Sequence, residues 1–144
     1  MSVGRICTRT VDLADRDESV QVAASRMNTR NVGTLLVLDE HKCPVGIVTD
    51  RDIAVRVVGK GLDPNATLVE SVMSPTPDTV TESTPIETAI GVMRAGSHRR
   101  LPVVDDEGSL VGLISLDDIL DLLSEEFLEI GKLIRTESPN VLAL

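Results

Sequence analysis

The chain repeats itself: shifted by 66 residues, its sequence aligns with itself without a gap. The identical pairs include Asp12/Asp78, Ala23/Ala89, Met27/Met93, Asp39/Asp105, Gly46/Gly112, Asp52/Asp118 and Ile53/Ile119. Neither unit alone is large enough to bury a sizeable core, so we expect the two to pack together about a pseudo-two-fold axis. Residues 1–66 would form the first repeat with its connector, and residues 67–144 the second. Clefts at such an axis come in related pairs.

The hydrophobic pattern predicts the same order of elements in each repeat: strand, helix, strand, strand, helix. Predicted strands lie near 11–13 and 79–80, and predicted hairpins pair 34–38 with 45–48 and 101–104 with 110–114. Predicted helices start at 17–19, at Thr84 as N-cap, at Thr49 (ending near Gly59), and at Ser115 (ending near Ile134). A short helix over 68–73 joins the repeats, and residues 138–140 predict a loosely held C-terminal segment. The fold class is therefore α/β.

Composition excludes several classes of function. The net charge is -9, with five basic and fourteen acidic residues in 67–144, which argues against a general nucleic-acid surface. Phe127 is the only aromatic residue, so a planar ligand must lie between aliphatic side chains and backbone. No apolar run is long enough for a membrane span. Two cysteines, Cys7 and Cys43, and no recognisable signal peptide favour a reduced cytoplasmic setting.

The strongest candidate site residues recur at the end of each predicted hairpin, in segments 46–52 and 112–118. Thr49 with Asp52, and Ser115 with Asp118, have the hydroxyl-x-x-acid spacing of a helix capping box. The same groups can also bind a ligand, since a helix N-terminus favours a phosphate and a carboxylate accepts ribose hydroxyls. A glycine three residues before each hydroxyl would let backbone or ligand approach closely. Capping and ligand binding both stay open at this point.

The doubled glycine–hydroxyl–acid motif resembles that of a pair of CBS domains, a Bateman module. The resemblance runs from about Ile6 to Leu123 and includes the stretches 49–52 and 100–105. It implies two tandem CBS repeats, each β-α-β-β-α, packed about a pseudo-two-fold axis. It also implies a regulatory module that binds adenosyl ligands, often AMP, ADP or ATP, between the repeats. Such modules commonly form homodimers through their helices.

The resemblance assigns a role to each motif residue. The motif acid typically holds the ribose and the hydroxyl lies by the phosphate, which here means Asp118 with Ser115 and Asp52 with Thr49. An adenine nucleotide is then the expected ligand, with no catalytic cofactor and no metal.

Basic residues are distributed unequally between the two expected clefts. The family's phosphate-binding positions hold Arg99 and Arg100 in repeat two, whereas repeat one has no charge at 33–34. Arg51 precedes the first motif acid and could reach across to the other repeat's site, but its counterpart is Asp117. Because phosphate needs charge-assisted donors, we expect the Ser115/Asp118 cleft to be the principal nucleotide site.

These observations bear on three functions. The preferred hypothesis is a stand-alone sensor that binds an adenine nucleotide and signals to an effector protein on another chain. The alternative is a structural or protein-interaction dimer with vestigial clefts. An enzyme is not expected, because no catalytic triad, paired-acid site or metal-ligand spacing is present.

The last predicted helix carries an apolar stripe and an acidic side. The stripe comprises Ile119, Leu123, Phe127, Ile130 and Ile134, and the acidic side includes Glu125 and Glu129. It predicts either a core-facing helix or one whose distal turns join a dimer or partner surface.

Overall fold

The computed structural model of the protein describes residues 1–137 and contains two α/β halves of the same construction. The first half has α1 (Val20–Arg30), β1 (Thr34–Leu38), β2 (Pro44–Thr49) and α2 (Asp50–Arg56). A 3-10 helix (Val58–Lys60), α3 (Val69–Val72) and β3 (Ser74–Pro75) follow. The second half has β4 (Val80–Thr81), α4 (Ile86–Gly96), β5 (Arg100–Val104), β6 (Leu110–Ser115) and α5 (Leu116–Glu137). The predicted α/β class is confirmed. The prediction for 138–140 lies outside the described residues.

The two hairpins have equivalent registers, and this equivalence positions the site. β1 pairs antiparallel with β2, and β5 pairs antiparallel with β6. Thr34 therefore lies opposite Thr49, and Arg100 lies opposite Ser115. The start of each hairpin's first strand is thus held beside the hydroxyl at the end of its second.

Each half takes part of its core from the segment that leads into the other repeat. Val3, in a 3-10 helix (Val3–Arg5), is fully buried in the core of the second half. Val69 and Val72 of α3 are buried in the core of the first half. The sheets extend in the same way: β3 pairs with β2, and Thr8 forms a bridge with Leu113. The division at residue 66 stays a prediction about the sequence, since the packing of these segments crosses it.

Helix α4 begins one residue later than the sequence predicts. Pro85 is the N-cap residue and has no side-chain hydrogen bond to the helix. The Thr84 hydroxyl instead accepts a hydrogen bond from the backbone N–H of Thr81, at 3.0 Å. The N–H of Ile86 donates to the carbonyl of Met1, at 3.2 Å. The carbonyl of Met1, in the N-terminal segment that packs against the second half, therefore takes the place of the predicted cap.

The predicted first strand of repeat one is reduced to a single bridge. β4 pairs in parallel with β5, but its counterpart in the first half is one bridge between Leu13 and Leu36. Beyond it the chain turns, and the N–H of Asp15 donates to the carboxylate of Glu18, at 3.1 Å. Arg26 also binds that carboxylate and lowers the pKa of Glu18. These side-chain bonds hold the turn that leads into α1.

The lengths of two helices differ from their predictions. α2 ends at Arg56 and gives way to the 3-10 helix before residue 59, whereas α5 continues to Glu137. In α5 only Ile119 is buried, and Phe127 is 71% exposed. The core-facing prediction therefore holds for the first turns of α5 alone. Within residues 1–137 no helix is both long and apolar enough to cross a membrane.

Candidate functional site

Both predicted capping boxes are present. The Ser115 hydroxyl accepts from the N–H of Asp118, at 3.1 Å, and the Asp118 carboxylate accepts from the N–H of Ser115, at 2.8 Å. Thr49 and Asp52 make the equivalent bonds, at 3.1 and 2.9 Å. Capping engages one carboxylate oxygen of each aspartate, so it does not by itself occupy the whole carboxylate.

A cavity of about 280 Å³ opens beside Ser115 and Asp118, and both halves line it. Its lining residues are Thr8, Thr10, Val11, Asp12, Asn31, Val32, Gly33, Thr34, Arg100, Leu113, Ser115 and Asp118. We call it the first cleft. Its volume is close to the lower end of the range for small-molecule sites, roughly 300–1,000 Å³.

The first cleft contains three of the residues predicted from the sequence. Arg100, Ser115 and Asp118 all line it. No ion pair among residues 1–137 includes Arg100. Its positive charge is therefore not neutralised by a carboxylate of the described chain, and it remains available for an anionic ligand.

The other two predicted arginines are not among the lining residues. Arg99 is exposed, with its guanidinium 3.6 Å from the carboxylate of the equally exposed Asp117. The Arg51 side chain is exposed as well. Their roles as ligand residues stay predictions.

Thr34 supplies a polar group that the sequence analysis did not assign to the ligand. Its side chain is buried and lines the first cleft, yet its Oγ1 has no hydrogen-bond partner among the described residues. An unpaired buried hydroxyl costs roughly 1–3 kcal/mol. The prediction treated position 34 only as a missing charge, although Thr34 corresponds to Arg100 in the other repeat.

The contribution of residues 8–12 to the first cleft was not predicted from the sequence. This segment crosses to the second half, where Thr8 exchanges backbone hydrogen bonds with Leu113 at 2.8 and 2.9 Å. A Cβ at Gly112 would lie 2.9 Å from the Thr8 carbonyl oxygen, so glycine is required for this close approach. Asp12 adds a carboxylate to the wall, and Arg30 neutralises it through a 2.8 Å hydrogen bond. The 66-residue shift alone could not reveal this crossing.

A smaller cavity, the second cleft, lies at the pseudo-symmetric position. Its volume is about 90 Å³, and it is lined by Ile47, Ser74, Pro75, Thr76, Pro77, Asp78, His98 and Arg100. The predicted residues Thr49 and Asp52 are not among them. His98, to which no role was assigned from the sequence, lies 3.5 Å from Asp78 in the wall of this cavity. Arg100 borders both clefts.

The two cysteine thiols and the potential metal ligands are the other reactive groups of the described chain. Burial raises the pKa of the Cys7 thiol, and partial desolvation with the Asp39 carboxylate raises that of Cys43. Both thiols are therefore poor nucleophiles near neutral pH. Within residues 1–137 no group of three or more His, Cys, Asp or Glu side chains is placed to hold a metal ion.

Comparisons with known proteins identify the family of the chain. The CBS domain family model matches residues 3–59 and 69–125. An uncharacterized protein of Methanopyrus kandleri is 33% identical over 122 residues, which cover 85% of this chain and 62% of that relative. The chain thus spans less than two thirds of that relative's length.

Two solved structures with bound adenosyl compounds have the same fold. The CBS domain pair of protein MJ0100, in complex with 5'-methylthioadenosine and S-adenosyl-L-methionine, has a TM-score of 0.78 and 28% identity, covering 88% of this chain and 98% of that one. CBSX2 in complex with AMP has a TM-score of 0.74 and 26% identity, covering 86% and 96%.

Two similar α/β halves that exchange segments and enclose paired clefts define a tandem-repeat module. The chain belongs to the CBS domain family, with its two domains at residues 3–59 and 69–125.

Proposed function

We propose that this CBS-domain pair is a regulatory module that binds an adenine nucleotide, such as AMP, ADP or ATP, in the first cleft. The observation that carries the proposal is the convergence of Arg100, Ser115 and Asp118 on one cavity at the meeting of the two repeats. The adenosyl ligands of MJ0100 and CBSX2 support the same ligand class.

The chemistry of the lining residues fits the three parts of a nucleotide. Asp118 uses Oδ2 for capping, and its other oxygen can accept hydrogen bonds from ribose hydroxyls. Arg100 provides a charge-assisted donor for phosphate, and the hydroxyls of Ser115 and Thr34 can donate as well. Apolar surface for the base comes from Val11, Val32 and Leu113, because no aromatic side chain is available there.

Regulation follows from a site that both repeats build. A ligand that contacts residues 8–12 and 31–34 on one side and β5, β6 and α5 on the other favours the arrangement that closes on it. The shift that it imposes on an effector protein is limited to its difference in affinity between the two arrangements. In this proposal the module acts by binding and not by catalysis.

The exposed part of α5 favours a homodimer as the functional unit. Leu123, Phe127, Ile130 and Ile134 share one face of the helix, and each is about half exposed or more. The second candidate function, an interaction dimer whose clefts bind nothing, rests on this same surface.

Calorimetric titration with AMP, alongside a thermal-shift panel of ADP, ATP, S-adenosylmethionine and NADH, tests the proposal. We expect Asp118→Ala to weaken AMP binding by about 10- to 100-fold, the value of a hydrogen bond to a charged group. Asp52→Ala should have little effect, and Asp121→Ala, an exposed acid on the same helix, is the matched control.

Equal losses from Asp118→Ala and Asp52→Ala would overturn the asymmetry between the clefts. No response to any member of the panel would favour the interaction dimer.

A further inference from the structure

The position four residues after the motif acid differs between the repeats. It is Arg56 in repeat one and Leu122 in repeat two. Residues four apart lie on the same face of a helix, so the side chain at this position is next to the motif carboxylate. The position therefore holds a cation in repeat one and an apolar residue in repeat two, and it lies outside the ligand motif itself.

Arg56 is held against the Thr49/Asp52 motif by several contacts. Its guanidinium lies 3.6 Å from Oδ1 of Asp52. It also donates to the carbonyl of Val72, at 2.7 Å, and to the hydroxyl of Ser74, at 3.2 and 3.3 Å. The contacts to Val72 and Ser74 fix the guanidinium, so it cannot leave Asp52 without losing them.

Each oxygen of the Asp52 carboxylate therefore faces a group of the protein. Oδ2 accepts from the N–H of Thr49, and Oδ1 faces Arg56. In repeat two, Oδ2 of Asp118 makes the capping bond, while no hydrogen bond or ion pair of the described residues involves its Oδ1. The two motifs look equivalent in sequence, but only in repeat two does the second carboxylate oxygen face no cation of the described chain.

We propose that Arg56 closes the Thr49/Asp52 motif to ribose and so restricts the module to one adenine nucleotide per chain. The inference rests on the proposed function and adds the residue that determines which cleft is used. A ribose diol would have to displace a guanidinium that two further acceptors hold in place. Ser74, one of those acceptors, also lines the second cleft, whose volume is about 90 Å³ against about 280 Å³ for the first.

Reciprocal exchange of the two side chains tests the proposal, with AMP as the titrant in calorimetry. Arg56→Leu gives repeat one the side chain of repeat two, and we expect binding to rise from one AMP per chain to two. Leu122→Arg places a guanidinium beside Asp118, and we expect affinity at the first cleft to fall by about tenfold or more. Arg16→Leu removes an exposed arginine outside both clefts and should leave stoichiometry and affinity unchanged.

The outcomes separate this proposal from the proposed function. Two AMP molecules on the wild-type chain, or one on both the wild type and a folded Arg56→Leu variant, would overturn the role of Arg56 while leaving nucleotide binding intact. No AMP on any variant would overturn both. If Arg56→Leu fails to fold, Leu122→Arg still tests the proposal, because an unchanged AMP affinity in that variant contradicts it.

Discussion

A single carboxylate can serve the fold and the ligand together, as Asp118 illustrates. The sequence spacing left capping and ligand binding as alternatives, and capping is confirmed at both motifs. Only the neighbouring side chain differs, because Arg56 faces Asp52 whereas Leu122 follows Asp118. The motif was therefore predictable from the sequence, but the free oxygen was not, since it depends on where Arg56 finds its other partners.

The buried hydroxyl of Thr34 gives a prediction in which stability and binding change in opposite directions. Thr34→Val keeps the shape of the side chain and removes an unpaired polar atom, so we expect the unfolding free energy to rise by up to about 1 kcal/mol. AMP affinity should fall, because the cleft loses a donor. Chemical denaturation and calorimetric titration measure the two effects.

Thr84→Val is the matched control, since the Thr84 hydroxyl accepts a hydrogen bond and lies outside both clefts. It should lose stability and keep its affinity. A Thr34→Val protein that is less stable but binds AMP normally would show that the hydroxyl serves folding alone.

At the level of elements, the local pattern predicted the hairpins well and the helix ends less well. β1 and β5 coincide with their predicted spans to within one residue, because their apolar runs and turn residues act locally. The start of α4 was wrong by one residue because the carbonyl of Met1, distant in sequence, binds the first helical N–H. The leading strand of repeat one was predicted over residues 11–13, but the structure has only one bridge there, between Leu13 and Leu36.

Helix α5 is the element whose role the sequence left open, and its exposed stripe gives the next prediction. Phe127→Asp should shift a dimer toward monomer, because it places a charge in an apolar contact. The melting temperature of the monomer should stay nearly constant, since Phe127 is 71% exposed within the chain. Sedimentation velocity over a concentration series measures the association.

Glu125→Lys, on the acidic side of the same helix, controls for the change in charge. If the wild-type chain is monomeric, the proposal that α5 forms a dimer surface is wrong.

For the molecule as a whole, the 66-residue repeat predicted two similar halves but not the exchange between them. Aligning the sequence with itself at a shift of 66 residues pairs equivalent residues. It does not indicate which half the segment before each repeat's first helix packs against. Val3 and Val69 occupy equivalent places in opposite cores, and the same crossing brings residues 8–12 to the first cleft. The four lining residues from this segment were therefore beyond the reach of sequence reasoning, whereas Arg100, Ser115 and Asp118 of repeat two were predicted.

The exchange predicts that the two halves unfold together. Val3→Ala should lower the unfolding free energy by roughly 1–3 kcal/mol, the value of a buried aliphatic side chain. One cooperative transition should remain, although Val3 belongs to repeat one in sequence and packs in the core of the second half. Urea denaturation followed by circular dichroism tests this expectation, with the exposed Val58→Ala as the control. Two separate transitions would indicate that the halves are independent.

Arg100 is bordered by a cavity on either side. A guanidinium has one charge to offer, so an anion that draws it toward Ser115 withdraws it from the cavity that holds Asp78 and His98. We therefore expect an anion in the first cleft to favour a cation in the second cleft, so that Arg100 couples the occupancy of the two.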